Sequence, residues 1–181
     1  VVSAVPWHGL GGLFDAVPRA IAPLVEAATR MRGAPIVTVN LWFDRPVLQT
    51  MLLGLPGRTF QWAFDKRAVT PGQATHVSMV CSGADDMVAK DNDTLTAEAH
   101  RELAAALPDV RQARLLRATA VRERRATFSL EAGEPPRPGT VTPLDGFFLA
   151  GDWTDTGLPA TIEGAILSGH RAAAAAQLRL R

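Results

Sequence analysis

The stretch Phe147-Phe148-Leu149-Ala150-Gly151-Asp152-Trp153-Thr154-Asp155-Thr156-Gly157-Leu158-Pro159-Ala160-Thr161-Ile162-Glu163-Gly164-Ala165 decides how this chain is read. A short apolar strand ends at a glycine that is followed at once by an acid. A loop containing Gly157 and Pro159 comes next, and a helix starts near Thr161 and runs into the alanines 172–176. The first turn of such a helix offers backbone N–H groups with no intrahelical acceptor, together with the positive end of the macrodipole. That terminus suits an anion or an electron-rich carbonyl. Asp152, fixed at the strand end, can accept hydrogen bonds from the hydroxyls of a sugar-like ligand. Gly164, Ala165, Ser168 and Gly169 are small residues at i, i+4 spacing on two adjacent rows, which lets a backbone or a flat ligand approach closely. On spacing alone the unit reads equally well as a ligand site or as an ordinary structural strand–loop–helix element.

Working outward, the clearest β signal is Pro35 to Asp44, rich in β-branched and aromatic residues and closed by Arg45-Pro46. Phe60 to Asp65 and His76 to Cys81 are further candidate strands, with a turn expected over Lys66 to Gln73 at Pro71-Gly72. Short strands joined by modest loops predict a largely antiparallel sheet. Asp93 or Thr94 is expected to cap a helix reaching Leu107, with Leu95, Ala99, Leu103 and Leu107 on one face and Pro108 as its stop. Ile21, Leu24, Val25 and Ala28 mark a helix within Pro18–Arg30. Val1 to Val5 reads as a short strand stopped by Pro6. Trp7 to Phe14 holds Gly9, Gly11 and Gly12 but is no G-x-G-x-x-G, because position 14 is Phe, and it is expected to be a flexible loop. Ala113 to Phe128 is expected to be extended, and Glu131 to Pro143 a proline-rich surface connection. No internal repeat is present.

The totals fit a globular domain, or one domain plus part of another. Of 181 residues, 47% are apolar and 20% charged. A formal net charge of +1 creates no global field toward nucleic acid. Cys81 is the one cysteine, so no internal disulfide can form, and its apolar strand setting predicts a buried thiol rather than a nucleophile. No apolar run approaches the roughly 20 residues that span a bilayer, and no secretory signal is present. The chain opens on Val1-Val2-Ser3-Ala4-Val5-Pro6, inside a strand-like segment and without a methionine, which is the expected look of a fragment.

The segment Leu149-Ala150-Gly151-Asp152, followed by Gly157-x-Pro159-Ala160-Thr161-Ile162-Glu163-Gly164-Ala165-x-x-Ser168-Gly169, resembles the C-terminal flavin motif of the amine oxidase and phytoene desaturase superfamily. Within it, Ala150-Gly151-Asp152-Trp153-Thr154-Asp155-Thr156-Gly157 is most similar to the squalene-associated FAD-dependent desaturases, described also as hydroxysqualene dehydroxylases. Arg124-Arg125-Ala126-Thr127-Phe128 and the opening Ala4-Val5-Pro6 resemble that subgroup too. The resemblance implies FAD as cofactor, contacted by Gly151, Asp152, Pro159, Ala160, Thr161 and Ile162. Asp152 would hold the ribityl chain, and the backbone at Thr161 and Ile162 would face the pyrimidine edge. The family's G-x-G-x-x-G unit for the FAD pyrophosphate, and the acid that follows it, are absent from these residues. The chain alone is therefore expected to hold FAD weakly, and the rest of the same polypeptide is an expected partner.

The resulting architecture is α+β. A mixed, mainly antiparallel substrate-domain sheet with helices is joined to the C-terminal strand and helix of a split Rossmann-like FAD-binding domain. The expected segments are 1–6 (end of the FAD-domain segment), 7–139 (substrate-binding domain) and 140–181 (C-terminal FAD-binding segment). The implied activity is reductive dehydroxylation of hydroxysqualene, an apolar isoprenoid, with hydride from reduced FAD reaching the allylic carbon as water leaves. The alternatives are a carotenoid-type desaturase, with hydride moving the other way, and a non-catalytic interaction module. The expected location is cytoplasmic, with peripheral contact on the inner membrane face as an option.

Other candidates carry less. Arg111, Arg114, Arg117, Arg122, Arg124 and Arg125 read either as a contact for acidic headgroups or a diphosphate, or as a solvated face balanced by nearby acids, the reading preferred. Asp91-Asn92-Asp93 lacks the glycine of a calcium loop, since position 96 is Thr. Asn92-Asp93-Thr94 is formally a glycosylation sequon. His8, His76, His100 and His170 show no metal-ligand spacing, so no metal site is expected. His76 is expected in the core, His100 and His170 on exposed helix faces, and His8 in a loop that can approach the active cavity. Trp42, Phe43, Phe60, Trp62 and Phe64 place aromatics on a sheet, which in the family floors an apolar substrate tunnel and which core packing explains equally. No residue is assigned as catalytic.

Overall fold

The computed structural model describes residues 1–70 and 75–180. The chain folds as two compact units, Val1–Gly33 with Thr127–Arg181, and Ala34–Ala126. These units do not coincide with the expected segments 1–6, 7–139 and 140–181, because residues 7–33 and 127–139 pack with the chain's terminal segments.

The unit Ala34–Ala126 holds the antiparallel sheet. Its strands are β2 (Gly33–Phe43), β3 (Leu52–Gly54), β4 (Trp62–Asp65), β5 (His76–Ser82) and β6 (Leu115–Phe128), in the order β3-β4-β5-β2-β6. Strict alternation along β2 sends Val37, Val39, Leu41 and Phe43 inward, and β5 opposes them with Val77, Met79 and Cys81. The helix α2 (Asn92–Ala106) covers that face with Leu95, Ala99 and Leu103, one residue per turn, as its i, i+4 spacing predicts. Its cap is Asp91, not Asp93 or Thr94. The Asp91 carboxylate accepts the Thr94 N–H at 2.7 Å and the Thr94 hydroxyl at 2.8 Å. Pro108 does end α2, but it also opens a second short helix, α3 (Pro108–Gln112), because proline fits a first helical position where its missing N–H costs nothing. Val110 of α3 closes the core. Strand β3 has no counterpart in the sequence reading, since three residues ending in glycine carry too little alternation to stand out. The turn expected over Lys66–Gln73 is described only to Thr70, with a single 3-10 turn at Lys66–Ala68, and its Pro71-Gly72 lies outside the described residues.

In the other unit, β1 (Val2–Ser3) and β7 (Phe148–Leu149) pair in parallel. Both are shorter than expected. Trp7 to Phe14 is not a flexible loop. It winds into two 3-10 turns, Trp7–Gly9 and Gly11–Leu13, that bury Trp7 and Leu10. The Trp7 indole donates to the Met31 carbonyl at 3.0 Å, at the end of α1 (Ala22–Arg30). Ile21, Val25, Ala28, Phe128, Phe147, Leu149 and Trp153 complete this core. The final helix, α4 (Ile162–Arg179), packs Ala172 against Phe148 and Ala150. Arg32 ties the proline-rich connection down, bonding Glu134 at 2.6 Å and Glu131 at 2.7 Å.

Candidate functional site

The link from β7 to α4 is held from several sides. Gly151 sits at φ 124°, a backbone region that L side chains rarely adopt, and a Cβ there would lie 2.9 Å from Trp153 Cδ1. Its N–H donates to Ser168 Oγ at 2.7 Å, which joins the strand end to α4. Trp153, only 1% exposed, donates its indole N–H to the Val5 carbonyl at 3.0 Å. A Cβ at Gly164 would lie 3.1 Å from the Pro159 carbonyl oxygen, so any larger residue there would push the loop and the helix slightly apart.

Thr161 is the N-cap, its hydroxyl accepting the Gly164 N–H at 3.1 Å. The preceding N–H groups of Ile162 and Glu163 have no intrahelical acceptor. They lie at an exposed end: Thr161, Ile162 and Glu163 are all open to solvent, Ile162 at 82%. Pro159 is exposed and Ala160 half-buried. Asp152 is half-buried, yet its carboxylate makes no hydrogen bond or ion pair among the described residues. A carboxylate without a donor among the described residues, in the same short link as an open helix N-terminus, is a donor–acceptor set that suits a polyol chain and an electron-rich heterocycle. The six residues expected to contact flavin thus all belong to one loop and its helix start. Sequence reading missed the role of Ser168 as the acceptor for Gly151, because small size alone had accounted for it.

The remaining candidates separate clearly. Cys81 is buried in β5, and burial pushes its thiol upward. Asp91 and Asn92 are structural: the first caps α2 and the second accepts from Arg122 at 2.7 Å. Among the described residues none of the six arginines of the cluster forms a close ion pair, although Arg114 lies near enough to Asp44 to help hold its carboxyl down. Arg111 and Arg122 instead bond backbone carbonyls, and Arg117 lies 4.8 Å over the Trp42 ring. His8 and His170 are exposed. His100 is not: its Nε2 is buried without a partner among the described residues and its ring lies 5.9 Å from Phe43. His76 is half-buried, stacked on Trp42 at 4.2 Å and bonded to Asn40 Oδ1 at 2.9 Å. Burial, then Lys66 and Arg117, hold its imidazole below the usual range. Of the aromatics expected on the sheet, Phe43 is in the core, Phe60 is in the core but precedes β4, which begins only at Trp62, and Trp62 and Phe64 are 44% and 36% exposed. Among the described residues no cluster of His, Cys, Asp or Glu is placed to hold a metal, and no helix is long and apolar enough to cross a membrane.

Comparison with known proteins gives the class of this mixed fold. The chain belongs to the flavin containing amine oxidoreductase family, whose model matches residues 1–177. It is 36% identical over 172 residues to the hydroxysqualene dehydroxylase of Rhodopseudomonas palustris, covering 88% of this chain and 38% of that protein. It is 29% identical to the 15-cis-phytoene desaturase of Solanum lycopersicum, covering 84% of this chain and 28% of that protein. An oxidoreductase from Methanosarcina mazei shares the fold, with a TM-score of 0.60 at 16% identity over 96% of this chain and 42% of its own. The chain thus spans well under half the length of the relatives it matches.

Proposed function

We propose that this chain is the C-terminal part of an FAD-dependent oxidoreductase acting on a squalene-type isoprenoid, by reductive dehydroxylation of hydroxysqualene to squalene. The observation that carries the reading is the carboxylate of half-buried Asp152, which has no donor among the described residues, in the loop that leads to the open N-terminus of α4. The greater identity to hydroxysqualene dehydroxylase, 36% against 29% for the plant desaturase, favours dehydroxylation over desaturation.

FAD, when bound, would supply the hydride chemistry. Gly151 would let the chain pass close to it, and Asp152 would accept hydrogen bonds from ribityl hydroxyls. Pro159 and Ala160 would form the wall before the helix. The Thr161 and Ile162 backbone would present positive potential to the pyrimidine edge and so favour negative charge there. The apolar substrate would lie along the open sheet face bearing Trp62 and Phe64, whose exposed rings can cover a hydrocarbon and keep water away. The pyrophosphate-binding unit is proposed to lie in a part of the same polypeptide outside these 181 residues, and the enzyme to work in the cytoplasm against a membrane that dissolves its substrate.

The test is turnover by the complete natural polypeptide. Squalene formed from hydroxysqualene supports the reading. A coloured polyene formed from phytoene would move it to the desaturase branch, and a folded polypeptide that binds no flavin would leave an interaction module.

A further inference from the structure

We propose that Arg137 and Arg171 are positioning residues that hold the flavin-facing loop in shape before the cofactor arrives. This rests on the flavin reading above but goes beyond its motif residues, since neither arginine belongs to them. The two side chains reach the loop from different elements: Arg137 from the proline-rich connection and Arg171 from the third turn of α4. Arg171 donates Nη1 to the Asp155 carbonyl at 3.0 Å and Nη2 to the Thr156 carbonyl at 3.3 Å. Arg137 donates Nη1 to the Leu158 carbonyl at 2.7 Å and Nη2 to Asp155 Oδ1 at 3.4 Å. Three carbonyls in the four residues Asp155–Leu158 are thereby fixed by guanidinium forks.

The loop needs such a hold. Gly157 stands at φ 80°, and a loop built on glycine and short polar residues loses much conformational freedom on ordering. Asp155 adds to the frame, its N–H donating to the Pro138 carbonyl at 2.8 Å and its carboxylate accepting the Gly157 N–H at 3.2 Å. Arg137 itself is anchored, with its side chain 19% exposed and its guanidinium 5.2 Å over the Phe128 ring. The residues that follow this frame are Pro159, Ala160, Thr161 and Ile162, so the direction of the free N–H groups at the start of α4 depends on it. A loop already ordered in the free protein spares the cofactor that ordering cost when it binds.

Geometry, not charge alone, is the claim. A guanidinium spans two successive carbonyls, whereas an ammonium is a single point of contact. The experiment reconstitutes the complete polypeptide, stripped of flavin, with FAD, and compares the parent with Arg171→Met, Arg171→Lys and Arg137→Met. We expect each variant to bind FAD about tenfold more weakly, the scale of one lost charge-assisted hydrogen bond. Lysine should fail to restore the Arg171 contact, and the flavin-free variants should stay folded, each with a single melting transition. Parent-like affinity in the variants, full rescue by lysine, or loss of the folded flavin-free state would each overturn the proposal. A parent that binds no FAD would overturn the flavin reading itself, before any variant is compared.

Discussion

The Gly151 N–H is bonded to the Ser168 hydroxyl, which passes its own hydrogen to the Ala165 carbonyl at 2.6 Å. One fully buried side chain therefore completes the hydrogen bonding of a strand end and stitches it to α4. Ser168→Ala leaves the Gly151 N–H without its acceptor at a partly buried strand end, at a cost of about 1 kcal/mol. Denaturant unfolding should show a lower midpoint with an unchanged slope.

Gly151→Ala tests the same junction from the backbone. The φ of 124° and the 2.9 Å approach of the Trp153 ring leave no room for a methyl group. The strained conformation alone costs on the order of 1–3 kcal/mol, so the melting temperature should fall, and Gly157→Ala, with open space around its Cβ, should be milder.

Much of this organisation was legible in the sequence. The period-2 pattern of β2 and the i, i+4 apolar face of α2 are strong because each buries a continuous row, and Thr161 was readable as a helix start because the loop before it cannot be helical. What escaped depended on contacts remote in sequence. Nothing local marks Trp7 and Leu10 as buried, since their partners include Met31 and Val25 on and beyond α1. Arg137 and Arg171 gave no signal because their partners are mainly backbone carbonyls, which every residue has. Asp91, Asp93 and Thr94 are all acceptable caps, and the choice falls on Asp91, whose carboxylate bonds both donors of Thr94.

His100 offers a test of burial without function. Its Nε2 is buried, with no partner among the described residues, on a helix whose neighbours Leu95, Ala99 and Leu103 are core. His100→Leu removes that polar atom at similar volume and should be neutral or stabilising within about 1 kcal/mol. Leu103→Ala, one turn on, should cost roughly 2–5 kcal/mol. Thermal unfolding of the two variants side by side checks the contrast.

Asp65 predicts a pH dependence. Burial opposes its ionisation, but the Arg67 side chain at 2.7 Å and the Arg67 N–H at 2.9 Å outweigh it and hold the carboxyl below its ordinary value. A carboxyl depressed in the folded state contributes stability above its unfolded value, near 3.8, and loses it as pH falls through the folded value. Asp65→Asn should therefore melt below the parent at pH 7, and the gap should close as pH drops below about 4. Melting curves across that window give the answer.

The central claim is that Asp152 and the start of α4 receive a flavin. The direct measurement is the visible spectrum and flavin content of the purified complete polypeptide, for the parent and for Asp152→Ala. Bound FAD in the parent, with retention falling at least tenfold in the variant while the protein stays folded, is the result expected. Equal flavin content in both proteins would show that the Asp152 carboxylate does not hold the cofactor, and would contradict the account at its centre.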